Sequence, residues 1–162
     1  MSDHAGRAAG LQQRILTRIP LTTAMQVSVV SFDGTRVVLA APLAPNLNDK
    51  GTGFAGSLST LVTLAGWSLA TLVAEGLLDD SGETRCEAAV YRSELDFLRP
   101  VRTELRAEAW LADPAATAAV QRLLLAGRRA KLEIHARLGE EADPAVRFLG
   151  RYAVWPAGAQ PF

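Results

Sequence analysis

Between Lys50 and Glu75 the chain carries no aspartate, glutamate, lysine or arginine. A run of that length and apolarity reads as a helix covered on nearly all of its faces. Two solutions exist, a core helix or a membrane span, since its length would cross a bilayer. The hydroxyls of Ser57, Ser59, Thr60, Thr63, Ser68 and Thr71 and the amphipathic strand patterns on either side favour the core helix. A polar loop containing Asn46, Asn48, Asp49 and Lys50 runs straight into it. The first turn of such a helix presents unpaired N–H groups and a partial positive charge. That end can hold an anion or a developing oxyanion, so it is a candidate reaction site.

The flanking patterns define what the helix must cover. Gly6 to Thr17 reads as a short amphipathic helix, with Leu11 and Ile15 on one face and Pro20 as its stop. Met25 to Phe32 and Arg36 to Pro42 read as strands, and Asp33-Gly34 between them is a two-residue hairpin signal. The long helix is expected from Phe54 to Gly76, followed by a loop over Asp79, Asp80, Ser81 and Gly82. Glu83 to Leu98 is a long strand. Val101 to Leu111 alternates, with Val101, Thr103, Leu105, Ala107, Ala109 and Leu111 inward. Asp113 and Pro114 suit the N-cap and first position of a helix reaching Ala126, and Gly127 ends it. Arg129 to Leu138 and Arg147 to Trp155 complete the strands. No repeat or linker interrupts the pattern, so one domain over residues 1–162 is expected, with 1–18 as an N-terminal helical segment. The fold class is α+β: a curved antiparallel sheet wrapped around a long central helix.

Charge and composition narrow the function. Seventeen basic residues balance seventeen acidic ones, which argues against nucleic-acid binding by phosphate neutralisation and against a basic membrane-surface patch. Cys86 is the single cysteine, so no intrachain disulfide forms, and the N-terminus lacks a signal-peptide apolar stretch; a cytoplasmic protein is expected. His4 and His135 are isolated, which leaves no metal-ligand cluster. His4 is expected to be disordered and His135 to lie on a polar strand face. There is no Gly-x-Ser-x-Gly elbow. Gly51, Gly53 and Gly56 match a dinucleotide fingerprint in spacing only, because no βαβ unit surrounds them.

Three passages carry a resemblance: Ile19-Pro20-Leu21, the stretch from Asn48-Asp49-Lys50 through Phe54-Ala55-Gly56-Ser57-Leu58, and Leu95-Asp96-Phe97-Leu98-Arg99-Pro100-Val101. They resemble the hotdog-fold thioesterases, closest to a thioesterase-domain branch sometimes fused to acetyltransferases. The resemblance implies hydrolysis of an acyl-CoA or acyl-carrier-protein thioester to free acid and thiol. It implies no cofactor beyond the coenzyme A or phosphopantetheine of the substrate, and homodimers or homotetramers with active sites between subunits. In the broader phenylacetate-pathway type, a loop Asn precedes His-Gly-Gly at the helix start, and an acid follows along the helix. Here Asn48 matches the Asn, Phe54-Ala55-Gly56 replace His-Gly-Gly, and Thr63 stands where the acid is expected. The alternative is a non-catalytic module that binds acyl thioesters or oligomerises.

Thioester cleavage needs stabilised charge on the carbonyl oxygen, a positioned water and a proton acceptor. The Ala55 and Gly56 amides suit the first task or plain helix initiation. Asn48 suits the substrate carbonyl, the water, or a turn. Asp49 suits a general base, a cap, or pairing with Lys50. The Ser57 and Thr63 hydroxyls suit water or thioester contacts, or bonds to a carbonyl one turn back. Phe54, Arg92 and Arg99 are the candidate substrate contacts, the arginines for phosphates of the thiol carrier. Trp67 suits a core or interface aromatic.

Overall fold

A computed structural model describes residues 3–79 and 84–159. Helix α1 spans His4–Arg18 and α2 spans Pro20–Met25; strands β1 and β2 cover Ser28–Phe32 and Arg36–Ala41. The long helix α3 is Ala55–Leu78, followed by β3 at Cys86–Phe97 and β4 at Leu105–Leu111. A single 3₁₀ turn, Pro114–Ala116, leads into α4 at Thr117–Leu125, and β5 (Ala130–Gly139) and β6 (Pro144–Pro156) follow. The strands form one antiparallel six-stranded sheet in the order β1-β2-β4-β5-β6-β3.

This sheet covers α3, as the charge-free run requires. Leu61, Val62, Ala65, Leu69, Ala70 and Ala74 of α3 are fully buried against Leu39, Leu105, Ala107, Ala109, Ile134, Val146 and Val154 of the strands. Each such Leu or Val contributes about 1.5–3 kcal/mol by leaving water. Of the most apolar stretch of α3, 67% is buried inside the fold, so the helix is a core rod rather than a lipid-facing one. The predicted inward set of β5 holds in full: Ala130, Leu132, Ile134, Ala136 and Leu138 are all buried.

Several boundaries move, each for a local reason. Helix α1 ends at Arg18, ahead of Pro20 as expected, but Pro20 also opens α2, where its missing N–H costs nothing at the first position. Met25 therefore closes α2 rather than starting a strand, and Gln26 turns the chain at φ +58. The hairpin tip is Gly34-Thr35 rather than Asp33-Gly34, because the Asp33 N–H donates to the Arg36 carbonyl. Asp33 Oδ1 accepts from Thr35 and Arg36, and Gly34 supplies the φ of +98. Gly76 does not stop α3, which continues to Leu78. The Val101–Thr103 segment is not strand: Val101 is buried by accepting the Gly53 N–H at 2.7 Å, and Thr103 is exposed. Asp113 caps as expected, accepting the Ala115 N–H at 3.0 Å. His4, expected to be disordered, begins α1 and meets the Phe32 ring edge-on at 5.3 Å between centroids. Asp80, Ser81, Gly82 and Glu83 lie outside the described residues.

Strand β3 is a sheet edge, paired among the described strands with β6 alone. It is twelve residues long and leaves Val90, Tyr91 and Phe97 between 41% and 52% exposed. A long edge carrying apolar side chains is a template for pairing with another strand.

Candidate active site

The loop before α3 is built from its own side chains. Asn46 is 1% exposed and donates Nδ2 to the carbonyls of Met25 (3.0 Å) and Pro42 (2.8 Å), while its backbone carbonyl accepts the Phe54 N–H at 2.8 Å. Asn48 Oδ1 accepts from the amides of Lys50 (2.9 Å) and Thr52 (3.0 Å), and Nδ2 donates to Thr52 Oγ1 at 2.9 Å. The Asn48 amide is thus spent on shaping the loop, whereas Asn46 Oδ1 is buried with no hydrogen-bond partner among the described residues. Gly51 holds φ +72 at its tip. Asp49 and Lys50 pair with each other at 2.8 Å on the outside, with side chains 78% and 74% exposed.

This loop delivers Phe54 in an extended conformation (φ −68, ψ 129) as the residue before α3, with no side-chain cap. The Leu58 N–H takes the Phe54 carbonyl at 3.0 Å, so the amides of Ala55, Gly56 and Ser57 are the orphan donors of the first turn. The Phe54 ring lies back over Gly56, where a Cβ would sit 2.3 Å from it. Ala55 and Phe54 are exposed, so within one chain nothing encloses this end from the solvent side.

A groove of about 340 Å³ begins one turn further on, lined by Ser59, Thr60, Thr63, Leu64 and Trp67 of α3 and by Val90 of β3. The hydroxyls of α3 divide into two kinds. Ser59, Thr60 and Thr71 donate one turn back to Ala55, Gly56 and Trp67 at 2.8, 2.8 and 2.9 Å. Those of Ser57, Thr63 and the fully buried Ser68 have no hydrogen-bond partner among the described residues. Thr63 faces the groove; Ser57 lies outside its lining, on the stripe of Leu61 and Leu64.

Two contacts of this region were not read from the sequence. Tyr152, fully buried on β6, donates its hydroxyl to the Thr63 carbonyl at 2.7 Å, and desolvation pushes its phenol well above the usual range. Gly66 makes room for it, since a Cβ there would lie 2.3 Å from Tyr152 Oη. A glycine inside an otherwise strong helix is the signal from which this close approach could have been read. Trp67 Nε1 donates to the Ala88 carbonyl at 3.0 Å, fixing α3 against β3.

Ile19 and Trp67 of the groove also line a second recess of about 350 Å³, together with Arg14, Arg18 and Arg85. At its back Glu75, 2% exposed, accepts Arg14 Nη2 at 3.0 Å and the Cys86 N–H at 3.2 Å, with Arg85 Nη1 at 3.9 Å. A carboxylate closing an apolar run requires such partners once buried. Burial, and then the Glu75 charge, push the Cys86 thiol up to about 11.

The arginines named from the sequence fall elsewhere. Arg92 is exposed on β3 and lies 3.9 Å from Glu94. Arg99 is clasped by Asp143, donating to its carbonyl and pairing with its carboxylate at 3.0 Å. Neither lines the groove or its recess. Among the described residues no cluster of His, Cys, Asp or Glu could hold a metal.

This architecture recurs in solved structures. The chain is similar to a crystal structure named a putative thioesterase from Shewanella oneidensis, at 28% identity and a TM-score of 0.80, covering 94% of this chain and 99% of the other. A Chlorobaculum tepidum protein of unknown function matches at 26% identity and a TM-score of 0.80, over 91% and 93%. The PaaI protein of the E. coli phenylacetic acid degradation operon shares the fold at 16% identity and a TM-score of 0.63, over 98% and 99%. A curved six-stranded sheet around one long helix, with these neighbours, is the hotdog fold of the thioesterase superfamily. Within it, the chain belongs to the family described as "Putative thioesterase (yiiD_Cterm)", which matches residues 8–156.

Proposed function

We propose that this chain hydrolyses acyl thioesters of coenzyme A or an acyl-carrier protein, as a homodimer with its active site at the seam between two copies. The observation that carries the reading is the open first turn of α3. The unpaired amides of Ala55 and Gly56 stand one turn from a groove whose Thr63 hydroxyl is also unbonded. A thioester carbonyl seated at those amides gains donors as its oxygen becomes negative. Thr63 orients the attacking water, and Asp49 accepts its proton. Asp49 lies on the open side of its loop, so it serves only where a second copy closes the seam. Asn48 acts by holding the loop, and Phe54 forms an apolar wall. The exposed β3 edge and the half-covered stripe Gly56, Thr60, Thr63 and Trp67 are the surfaces a second copy would cover. The acyl group lies along the groove, with the carrier's phosphates toward Arg18 and Arg85. A free, buried cysteine fits a reducing cytoplasm.

The test is release of free thiol from short, long and aromatic acyl-CoAs, with Asp49→Asn alongside. Turnover that Asp49→Asn lowers at least tenfold supports the scheme; equal turnover removes Asp49 from it. A second reading, a module that binds thioesters without cleaving them, is favoured by the groove itself, whose lining holds neither carboxylate nor histidine. Saturable binding of a non-hydrolysable acyl-CoA with no thiol released from any substrate would establish that reading instead.

A further inference from the structure

A cleft lies at the end of α3 remote from its first turn, and the thioester chemistry does not use it. It is bounded by α1, the β1–β2 hairpin, the end of β4 and the turn before α4, and holds about 560 Å³. Its lining is mainly apolar, with Phe32, Leu72, Val73 and Leu111 beside Trp110. Arg7, Arg36 and His4 also line it.

The two cations are not equivalent. Arg36 pairs at 2.9 Å with Glu108, a carboxylate that Arg137 shares, and lies over the Trp110 ring at 5.4 Å. Arg7 has no carboxylate within 4.0 Å among the described residues. It donates Nη2 to the Leu72 carbonyl and lies 5.3 Å from the centre of the Phe32 ring. A guanidinium has five N–H donors, so most of its fork is unspent. Arg7 is half-buried, and a partly desolvated cation with no counter-ion is unfavourable. Gly76 admits it, because a Cβ there would approach Arg7 Nη1 to 2.9 Å. His4 Nδ1, on the same lining, is buried without a hydrogen-bond partner.

We propose that this cleft binds a small organic monocarboxylate, clasped by the Arg7 fork, with its apolar body against Phe32, Leu72 and Leu111. A guanidinium with no carboxylate partner matches one carboxylate in charge, and its planar fork matches it in shape. Apolar walls around a few placed polar groups are the general character of small-molecule sites, and the volume lies within their usual range of roughly 300–1,000 Å³.

Isothermal titration calorimetry with octanoate, its neutral amide octanamide and inorganic phosphate tests the assignment. Octanoate is also the kind of acid that thioester hydrolysis releases, so Ala55→Pro, at the other end of α3, is titrated in parallel. The expected result is one octanoate per chain, bound as tightly by Ala55→Pro as by wild type. Arg7→Gln, and Leu111→Trp, which fills the cleft and keeps Arg7, each weaken it at least tenfold; octanamide and phosphate bind at least tenfold more weakly than octanoate. No octanoate binding at millimolar concentration overturns the proposal, as does wild-type affinity in Leu111→Trp or Arg7→Gln, or octanamide or phosphate binding as tightly as octanoate. Loss of octanoate binding in Ala55→Pro alone moves the acid to the thioester site. None of these outcomes requires that any thioester be cleaved.

Discussion

The Ala55 amide can be deleted without disturbing the helix that holds it. Ala55 is the first residue of α3, where proline is favoured because the N–H it lacks has no intrahelical acceptor. Phe54 before it is at φ −68, ψ 129, inside the extended region that a following proline requires. The Leu58 N–H to Phe54 carbonyl bond survives, since neither partner changes. Ala55 is exposed, so the pyrrolidine ring meets solvent. Ala55→Pro is therefore expected to change unfolding free energy by less than about 1 kcal/mol, with a small gain from a stiffer unfolded chain. Its effect on catalysis is far larger, because removing one oxyanion donor costs about 10²–10³ in kcat, or roughly 2.7–4 kcal/mol. The assay pairs thiol release from the best acyl-CoA with urea unfolding of the same preparation. Gly56→Ala is the companion: it keeps its N–H and pushes the Phe54 ring aside, separating loss of the donor from loss of the wall. A variant with wild-type stability and kcat within threefold of wild type would refute the placement of the oxyanion at this turn.

Gly66→Ala should destabilise the fold by up to about 2 kcal/mol in urea, because overpacking against Tyr152, about 1–3 kcal/mol, is only partly offset by the roughly 1 kcal/mol that alanine gains in helix propensity; a more stable variant would contradict it. Glu75→Gln leaves Arg14, whose side chain is 15% exposed, without its anion, and should cost about 3 kcal/mol; a loss under 1 kcal/mol would mean the pair is not what fixes α1. Cys86 titrates near 11 in the folded chain against roughly 8.5 for a free cysteine, so its contribution to stability is present below the lower value and disappears as pH rises to the higher one. Iodoacetamide should accordingly alkylate native Cys86 with a pH midpoint well above that of the urea-unfolded chain, and coincident midpoints would dispose of the shift.

The fold class was legible because α3 is an unbroken charge-free run and β5 carries an unambiguous alternation. A charge-free helix must be covered, and a strand with five alternating inward residues supplies cover, whatever their partners. Segments near Pro20 and Val101 were not legible, since the first depended on a local turn and the second on a hydrogen bond to Gly53, far back in the chain.

The candidate site divides in the same way. The orphan amides at Ala55 and Gly56 follow from where a helix starts, which is a local fact. Asn48 and Asp49 could not be placed from sequence, because a side-chain amide turned inward to its own loop and a carboxylate turned outward have the same local pattern. Tyr152 over Gly66, Arg14 on Glu75, and Arg7 in its cleft join residues far apart in the chain. The sequence by itself determined which surfaces must leave water and where a helix would offer free donors, since hydrophobic period and helix ends are short-range properties. Which polar groups end up paired, spent or left with donors to spare was decided only by the curvature of the sheet around α3, because that alone sets which distant side chains meet.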